Sequence, residues 1–339
     1  MKSETKYIFS KGDLSRQDFS IKYRNDKGNF YLPIEKVREL YCFNDITIST
    51  KLLDILATAG IVVHFFNYYE NYVGTFYPKK SLISGKLIVK QAMAFENNRL
   101  IIAKSIVNGI AKNIKTVLYH YYRHGTKELK STIDFYSKDV EKLLDKSKDI
   151  KQVLSVEGKI WAMFYATFKY FLPEDFIINK RVKRPPDNPM NAMISFGNTL
   201  LYTKTIAQIY NTHLEQSISF LHEPSEARFS LSLDLSEAFK PVIVFKTIFD
   251  LVNNKKIKVE RHFESKLNYS LLNDDGKKLF IEAFENKINQ TFEHSKLHRK
   301  ITYKQAIKLD GYKLIKYILE NKEFMPFDLE KRNWFEKEN

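Results

Sequence analysis

The spacing of apolar residues changes once along this chain, and that change limits the fold more than any other feature. Up to about residue 85 they come in short runs: Tyr7-Ile8-Phe9, Ser20-Ile21-Lys22-Tyr23, Phe30-Tyr31-Leu32-Pro33, Val37 to Phe43, Ile61 to Phe66 and Tyr72 to Tyr77. β-Branched and aromatic residues suit a pleated surface. The runs are parted by turn residues at Lys11-Gly12-Asp13, Asn25-Asp26-Lys27-Gly28 and Asn71. Asp26-Lys27-Gly28 predicts a hairpin. One helix is expected over Thr50 to Ala59, capped by Ser49 or Thr50 and stopped by Gly60. From Lys86 on, the spacing becomes three and four: Leu87, Val89, Ala92, Phe95, then Leu100, Ile101, Ala103, Ile106, Val107 and Ile110. Helical patterns follow near 117–124, 133–144, 150–171, 190–211, 230–252, 276–289 and 303–319.

The expected fold class is therefore α+β. An N-terminal β domain (1–85), of mostly antiparallel small sheets with one short helix, precedes a larger all-α domain (86–322). A polar tail (323–339) is expected to fray. With 44% hydrophobic residues in 339 the chain can bury a core, which excludes global disorder. The single cysteine, Cys42, excludes an internal disulfide framework and a multi-cysteine zinc module, and it points to a reducing, cytoplasmic setting. Cys42 lies in an apolar run and reads as a packed thiol; His64 likewise reads as a satisfied core histidine. No signal peptide is expected, and no apolar run nears the ~18 residues of a membrane span.

Charge gives the first functional hint. The net is +15; residues up to Gly85 carry 12 basic and 9 acidic groups, a net of +3, which leaves +12 in the remainder. A basic balance favours a polyanion such as nucleic acid, although lysine-rich proteins of every kind exist.

Three stretches interrupt strong helical patterns with polar groups. Glu157 sits in an apolar, aromatic helix among Val153, Leu154, Ile160, Trp161, Phe164 and Phe168. On that face a carboxylate needs a partner or a metal; otherwise it faces solvent beside Lys159. Lys180-Arg181-Val182-Lys183-Arg184-Pro185-Pro186 is a stiff basic loop ahead of a helix starting near Met190. Arginine forks and a helix N-terminus both suit phosphate oxygens, and Asn191 in the first turn could cap the helix or touch a phosphate; a solvated charge run is the alternative. Asp234 and Glu237, three apart, share a helix face, and His222 precedes them by twelve residues. Two carboxylates with one imidazole suit Mg²⁺ or Mn²⁺ better than zinc; a helix start enriched in acids would look the same. No glycine-rich phosphate loop, HExxH, paired CxxC or GxSxG is present.

These ordered segments resemble the CRISPR adaptation integrases, the first family of CRISPR-associated proteins (Cas-one). Glu157-Gly158 is similar to the family's glutamate-glycine helix. Similar too are Arg181 to Asn191 with the run Ala192 to Tyr202, Phe220-Leu221-His222-Glu223, and Ser230 to Pro241. Val63-His64-Phe65-Phe66 and Val73 to Pro78 resemble members from type I systems of the I-B branch.

The resemblance implies a Mg²⁺- or Mn²⁺-dependent DNA endonuclease and integrase that joins the 3′-hydroxyl ends of spacer DNA into the CRISPR repeat by transesterification. Implied partners are double-stranded and branched DNA, a second copy of the chain, and the small protein Cas-two, in a heterohexameric complex. The implied metal ligands are Glu157, His222 and Glu237, with Asp234 as an auxiliary carboxylate. The implied DNA-binding residues are Arg181, Lys183, Arg184, Asn191 and Lys240. Members commonly carry tyrosine seven residues after the glutamate, where this chain has Phe164 followed by Tyr165. A non-catalytic basic nucleic-acid scaffold, with its acids paired into salt bridges, is the alternative.

Overall fold

In the computed structural model the chain divides into two compact units, Met1–Leu82 and Ile83–Asn339. The structure describes residues 4–67, 71–78, 84–178, 180–183, 185–224, 229–264, 269–294 and 297–329.

The first unit contains β1 (Glu4–Ile8), β2 (Gly12–Gln17), β3 (Ser20–Asn25), β4 (Gly28–Pro33), β5 (Val37–Cys42), β6 (Ile46–Ile48), α1 (Thr50–Ala59), β7 (Val62–Phe66) and β8 (Tyr72–Phe76). They build two four-stranded sheets, in the orders β1-β5-β7-β8 and β4-β3-β2-β6. The hairpin expected at Asp26-Lys27-Gly28 joins β3 to β4, with Asn25 paired to Gly28. Asn25 Oδ1 accepts from the Lys27 N–H at 2.9 Å, the local bond that favours asparagine in turns. Helix α1 starts where Ser49 Oγ accepts from the Leu52 N–H, and it stops at Gly60, whose φ of 71° is the left-handed conformation that glycine adopts without strain.

Pairing in this unit is more mixed than the mostly antiparallel expectation. β2–β3, β3–β4 and β7–β8 are antiparallel, whereas β1–β5, β5–β7 and β2–β6 are parallel. A tight turn announces a hairpin locally, but a parallel partner lies a crossover away and leaves no local mark. Ile8, Leu14, Ile21, Leu40, Leu52 and Val63 are among the buried residues of the core. A second set of rings is also buried: Phe43 stacks on Phe66 at 4.4 Å and Tyr41 meets the His64 ring at 4.6 Å. His64 Nδ1 bonds Thr75 Oγ1 at 2.8 Å. Burial pushes the Cys42 thiol up to about 12, so it is an inert core group.

The second unit runs α2 (Gly85–Arg123), α3 (Lys130–Lys138), α4 (Val140–Lys146), α5 (Ile150–Ala166), α6 (Pro189–Tyr210), α7 (Ser230–Glu237), α8 (Lys246–Asn253), α9 (Val259–His262) and α10 (Asp274–Asn289). The hairpin β9 (Thr291–His294) and β10 (Arg299–Thr302) and the helix α11 (Tyr303–Glu320) complete it. Helix α2, 39 residues and about 58 Å long, fuses the patterns read at 86–110 and 117–124. The pattern read over 230–252 is in turn not one α-helix. Pro241 brings no N–H to the ladder, and residues Pro241–Phe245 widen into a π-helical turn between α7 and α8. That turn packs closely on α6: a Cβ added at Gly197 would fall 2.6 Å from Val244 Cγ1, so only glycine fits there.

The tail expected to fray from residue 323 is in part packed. Phe324, Phe327 and Leu329 are buried; residues 330–339 lie outside the described residues. Glu323-Phe324-Met325-Pro326-Phe327 has no period of its own, and its partners on α2 are remote in sequence, so polarity alone misjudges it. Among the described residues no helix is long and apolar enough to cross a membrane.

Candidate active site

Helix α7 places Asp234 fully inside the unit. Its Oδ2 accepts from the backbone N–H groups of Phe220 (2.6 Å) and Leu221 (2.8 Å), and its Oδ1 from the His222 N–H (3.0 Å) and His222 Nδ1 (2.8 Å). One carboxylate therefore folds the 220–222 loop around itself and orients the imidazole. With Nδ1–H donated to Asp234, the lone pair of the neutral ring lies on Nε2. Burial pulls the His222 pKa down, but the hydrogen bond and charge of Asp234, helped by Glu237, outweigh it and leave it raised.

Arg99 of α2 grips the same loop from its carbonyl side. It donates to Phe220 O at 3.0 Å and His222 O at 3.4 Å, and it pairs with Glu223 at 2.8 Å. Gln91, two turns earlier, bonds the Glu215 and Ile218 carbonyls and receives the Glu215 N–H. Neither residue was expected from the sequence. The available signal was a glutamine and an arginine on the apolar stripe of a helix, where each needs a partner.

Glu237, at the end of α7, is only 2% exposed. Its Oε1 pairs with Lys240 Nζ one turn on, while its Oε2 is buried with no hydrogen-bond partner. Glu157 comes to this place from α5. Burial and the charge of Glu237 hold its carboxyl above the ordinary range, against the pull of Lys240, His222 and Trp161. Two carboxylates and one imidazole thus lie within electrostatic reach of each other. As the side chains stand, no group of three or more His, Cys, Asp or Glu among the described residues could hold a metal ion.

The basic loop closes on the same place. The Arg181 guanidinium, half-buried, donates to Asn191 Oδ1 at 3.0 Å, to Ser195 Oγ at 2.8 Å and to Val182 O. Asn191 is completely buried and its amide also donates to Asp187 Oδ1 at 2.7 Å and Lys180 O at 3.1 Å. Asn191, expected to touch DNA, has no exposed face here and holds the loop against the start of α6, which Asn188 caps. Burial, then the neighbouring Lys240 and Arg181, lower the Lys183 pKa. Lys240 likewise is engaged with Glu237 rather than free for phosphate. Arg184 lies outside the described residues.

Phe164 packs among Phe168, Phe245 and Phe249 in an aromatic core. Tyr165, the next residue, turns to the site: burial raises its pKa, with the charges of Arg181, Glu237 and Glu157 all felt there. A tyrosine hydroxyl is therefore present, one position later than the family pattern would put it.

Fold and site together define a two-unit α+β protein whose helical unit brings two carboxylates, an imidazole and a basic loop to one place. A family profile described as "CRISPR associated protein Cas1" matches residues 6–286. The chain is 43% identical over 332 residues to "CRISPR-associated protein Cas1 1" of Methanobrevibacter ruminantium, covering 96% of this chain and 99% of that one. It is 39% identical to "CRISPR-associated endonuclease Cas1" of Fusobacterium nucleatum, covering 95% and 96%. The solved structure of a Cas1 protein from Thermotoga maritima matches with a TM-score of 0.83 and 34% identity, covering 96% and 100%. The chain belongs to the Cas1 family.

Proposed function

We propose that this chain is a divalent-metal-dependent DNA endonuclease and integrase of CRISPR adaptation, with Glu157, His222 and Glu237 as the metal ligands. The observation that carries it is Glu237 Oε2: a buried carboxylate oxygen with no partner, beside a second carboxylate raised in pKa and an imidazole whose Nε2 is left available. A buried unpaired oxygen is costly, and a coordinated cation removes the cost. Mg²⁺ or Mn²⁺, when bound, would offset charge on the phosphoryl oxygens and help activate the attacking hydroxyl. The donor set, oxygen-rich with one nitrogen, suits those ions. The name "endonuclease" carried by the Fusobacterium relative supports the same reading.

The chain's own residues do the positioning. Asp234 fixes the His222 ring through Nδ1 and the loop through three N–H groups, so Nε2 keeps one direction. Arg181 and Lys183 would take the DNA backbone, and holding the phosphodiester in line would supply much of the acceleration; the crowding of Lys183 by Lys240 and Arg181 supports this reading, because a phosphate would relieve it. Lys240 neutralises Glu237 until a cation replaces it. Double-stranded and branched DNA, a second copy of the chain and the small Cas2 protein are the partners of this reading.

A scaffold reading draws on the same Lys240–Glu237 pair, taken as a finished salt bridge. One experiment separates the two. A supercoiled plasmid is incubated with the protein and a short duplex bearing free 3′-hydroxyl ends, with Mn²⁺ or with chelator. Metal-dependent joined products are expected; DNA binding without joining or cleavage in either condition would establish the scaffold.

A further inference from the structure

We propose that residues 324–329 form a strap that positions Glu237, and that Asn113 of α2 is the positioning residue through which the strap acts. The inference rests on Glu237 as a metal ligand. Asn113 is fully buried. Its Nδ2 donates to the carbonyls of Ala238 (2.7 Å) and Phe327 (2.9 Å), and its Oδ1 accepts from the Leu329 N–H (2.7 Å). A single amide thus ties three pieces together: the long helix, the C-terminal strap and the residue that follows Glu237.

The Ala238 carbonyl is available because the helix ladder is irregular just after α7. In a regular helix the Val242 N–H would satisfy Ala238. Here it turns to Phe239 O at 3.2 Å, a tighter three-residue bond, and Asn113 takes the carbonyl instead. The strap is gripped from α11 as well: Asp310 accepts from the Phe327 N–H at 2.7 Å and from Lys313 at 2.7 Å. The Phe327 ring stacks on Phe239 at 4.7 Å and 15°. A Cβ added at Gly109, one turn before Asn113, would meet Pro326 Cβ at 3.1 Å and Ala238 Cβ at 3.6 Å, so helix, strap and Ala238 are in contact.

Glu237 needs this support. Its Oε2 has no hydrogen bond and its Oε1 has only a lysine, so the backbone around 237–239 sets where the carboxylate points. That backbone is held by Asn113 on one side and the Phe239–Phe327 stack on the other. The strap lies beyond residues 6–286, the span that the family profile matches.

The test titrates metal-free, full-length protein with Mn²⁺ and reads free ion by paramagnetic resonance. Wild type, Asn113→Ala, Glu237→Gln and Lys204→Met are compared. Lys204→Met breaks the Lys204–Glu285 pair (2.8 Å), in which the lysine is buried, and serves as a control for lost stability. Removing a group that orients a ligand typically costs 10–100-fold in affinity, so Asn113→Ala should weaken Mn²⁺ binding about tenfold or more. Lys204→Met should keep wild-type affinity, and DNA binding in chelator should be unchanged in Asn113→Ala. Wild-type affinity in Asn113→Ala, with weakened affinity in Glu237→Gln, overturns the strap role and leaves the metal reading standing. Wild-type affinity in Glu237→Gln overturns the metal reading, and the strap role with it. Should Asn113→Ala fail to fold, Phe327→Leu keeps the apolar bulk but loses the stack on Phe239; it should weaken Mn²⁺ binding in the same direction, and unchanged affinity there overturns the proposal.

Discussion

Asp234 shows how much one side chain does here. Its four hydrogen bonds shape a loop, orient an imidazole and stay dry. Asp234→Asn should cost ~3 kcal/mol, because an amide nitrogen would face N–H groups that need an acceptor. Thermal unfolding should register that as a Tm lower by about 6–12 °C. Glu157 predicts the opposite sign. Its folded pKa is raised, by burial and by Glu237, above the unfolded value of 4.5. Its contribution to stability is therefore present in full below 4.5 and lost as pH rises through the folded value. Glu157→Gln should stabilise the metal-free protein at pH 7–8 relative to wild type and lose that advantage below about pH 4.5, as melts in chelator across pH would show. The same variant should lose joining activity.

At the scale of elements, two pieces matter most: α2, which anchors the site through Gln91, Arg99 and Asn113, and the basic loop. The loop's cations are not equivalent. Among the described residues Lys183 makes no side-chain hydrogen bond or ion pair comparable with those of Arg181, so Lys183→Ala should leave Tm within about 1–2 °C of wild type. It should lower the salt slope of DNA binding by about one, equally across sequences. Arg181→Ala should weaken DNA binding too, but also lower Tm, because Asn191 and Ser195 lose their partner. An unchanged salt slope in Lys183→Ala would make the loop a solvated charge run.

For the whole molecule, the family resemblance implies a homodimer, and the first unit carries the surface on which that can be tested. Tyr41, Phe43 and Phe66 are buried within one chain. Among the described residues of the first unit, the large hydrophobic side chains that stay exposed are Phe19 at 80%, Val73 at 67%, Phe30 at 45% and Tyr31 at 53%; Val73 is on β8 and the last two are on β4, both edge strands. Exposed aromatic edges invite pairing. Light scattering of the full chain at tens of micromolar should give a dimer, and the double variant Phe30→Ser, Tyr31→Ser should shift it toward monomer. A wild-type monomer over that range would remove this interface.

The sequence by itself determined what is local or periodic. Turn chemistry at Asn25 to Gly28, the Ser49 and Gly60 caps of α1, and the change of period after residue 85 are each readable because one residue's conformational preference, or the repeat of one helix face, decides them. The candidates Glu157, His222, Asp234 and Glu237 were legible for a related reason: ionisable groups on apolar faces need an explanation. Only the tertiary structure decided which of them faces which. Asp234 turned out to hold the loop, Lys240 to hold Glu237, and Asn191 to hold Arg181, none of which a spacing encodes. The parallel strand pairs and the burial of Phe324, Phe327 and Leu329 depend on partners remote in sequence. A contact between Asn113 and Leu329 spans more than two hundred residues, and only the folded chain brings such a pair within 2.7 Å.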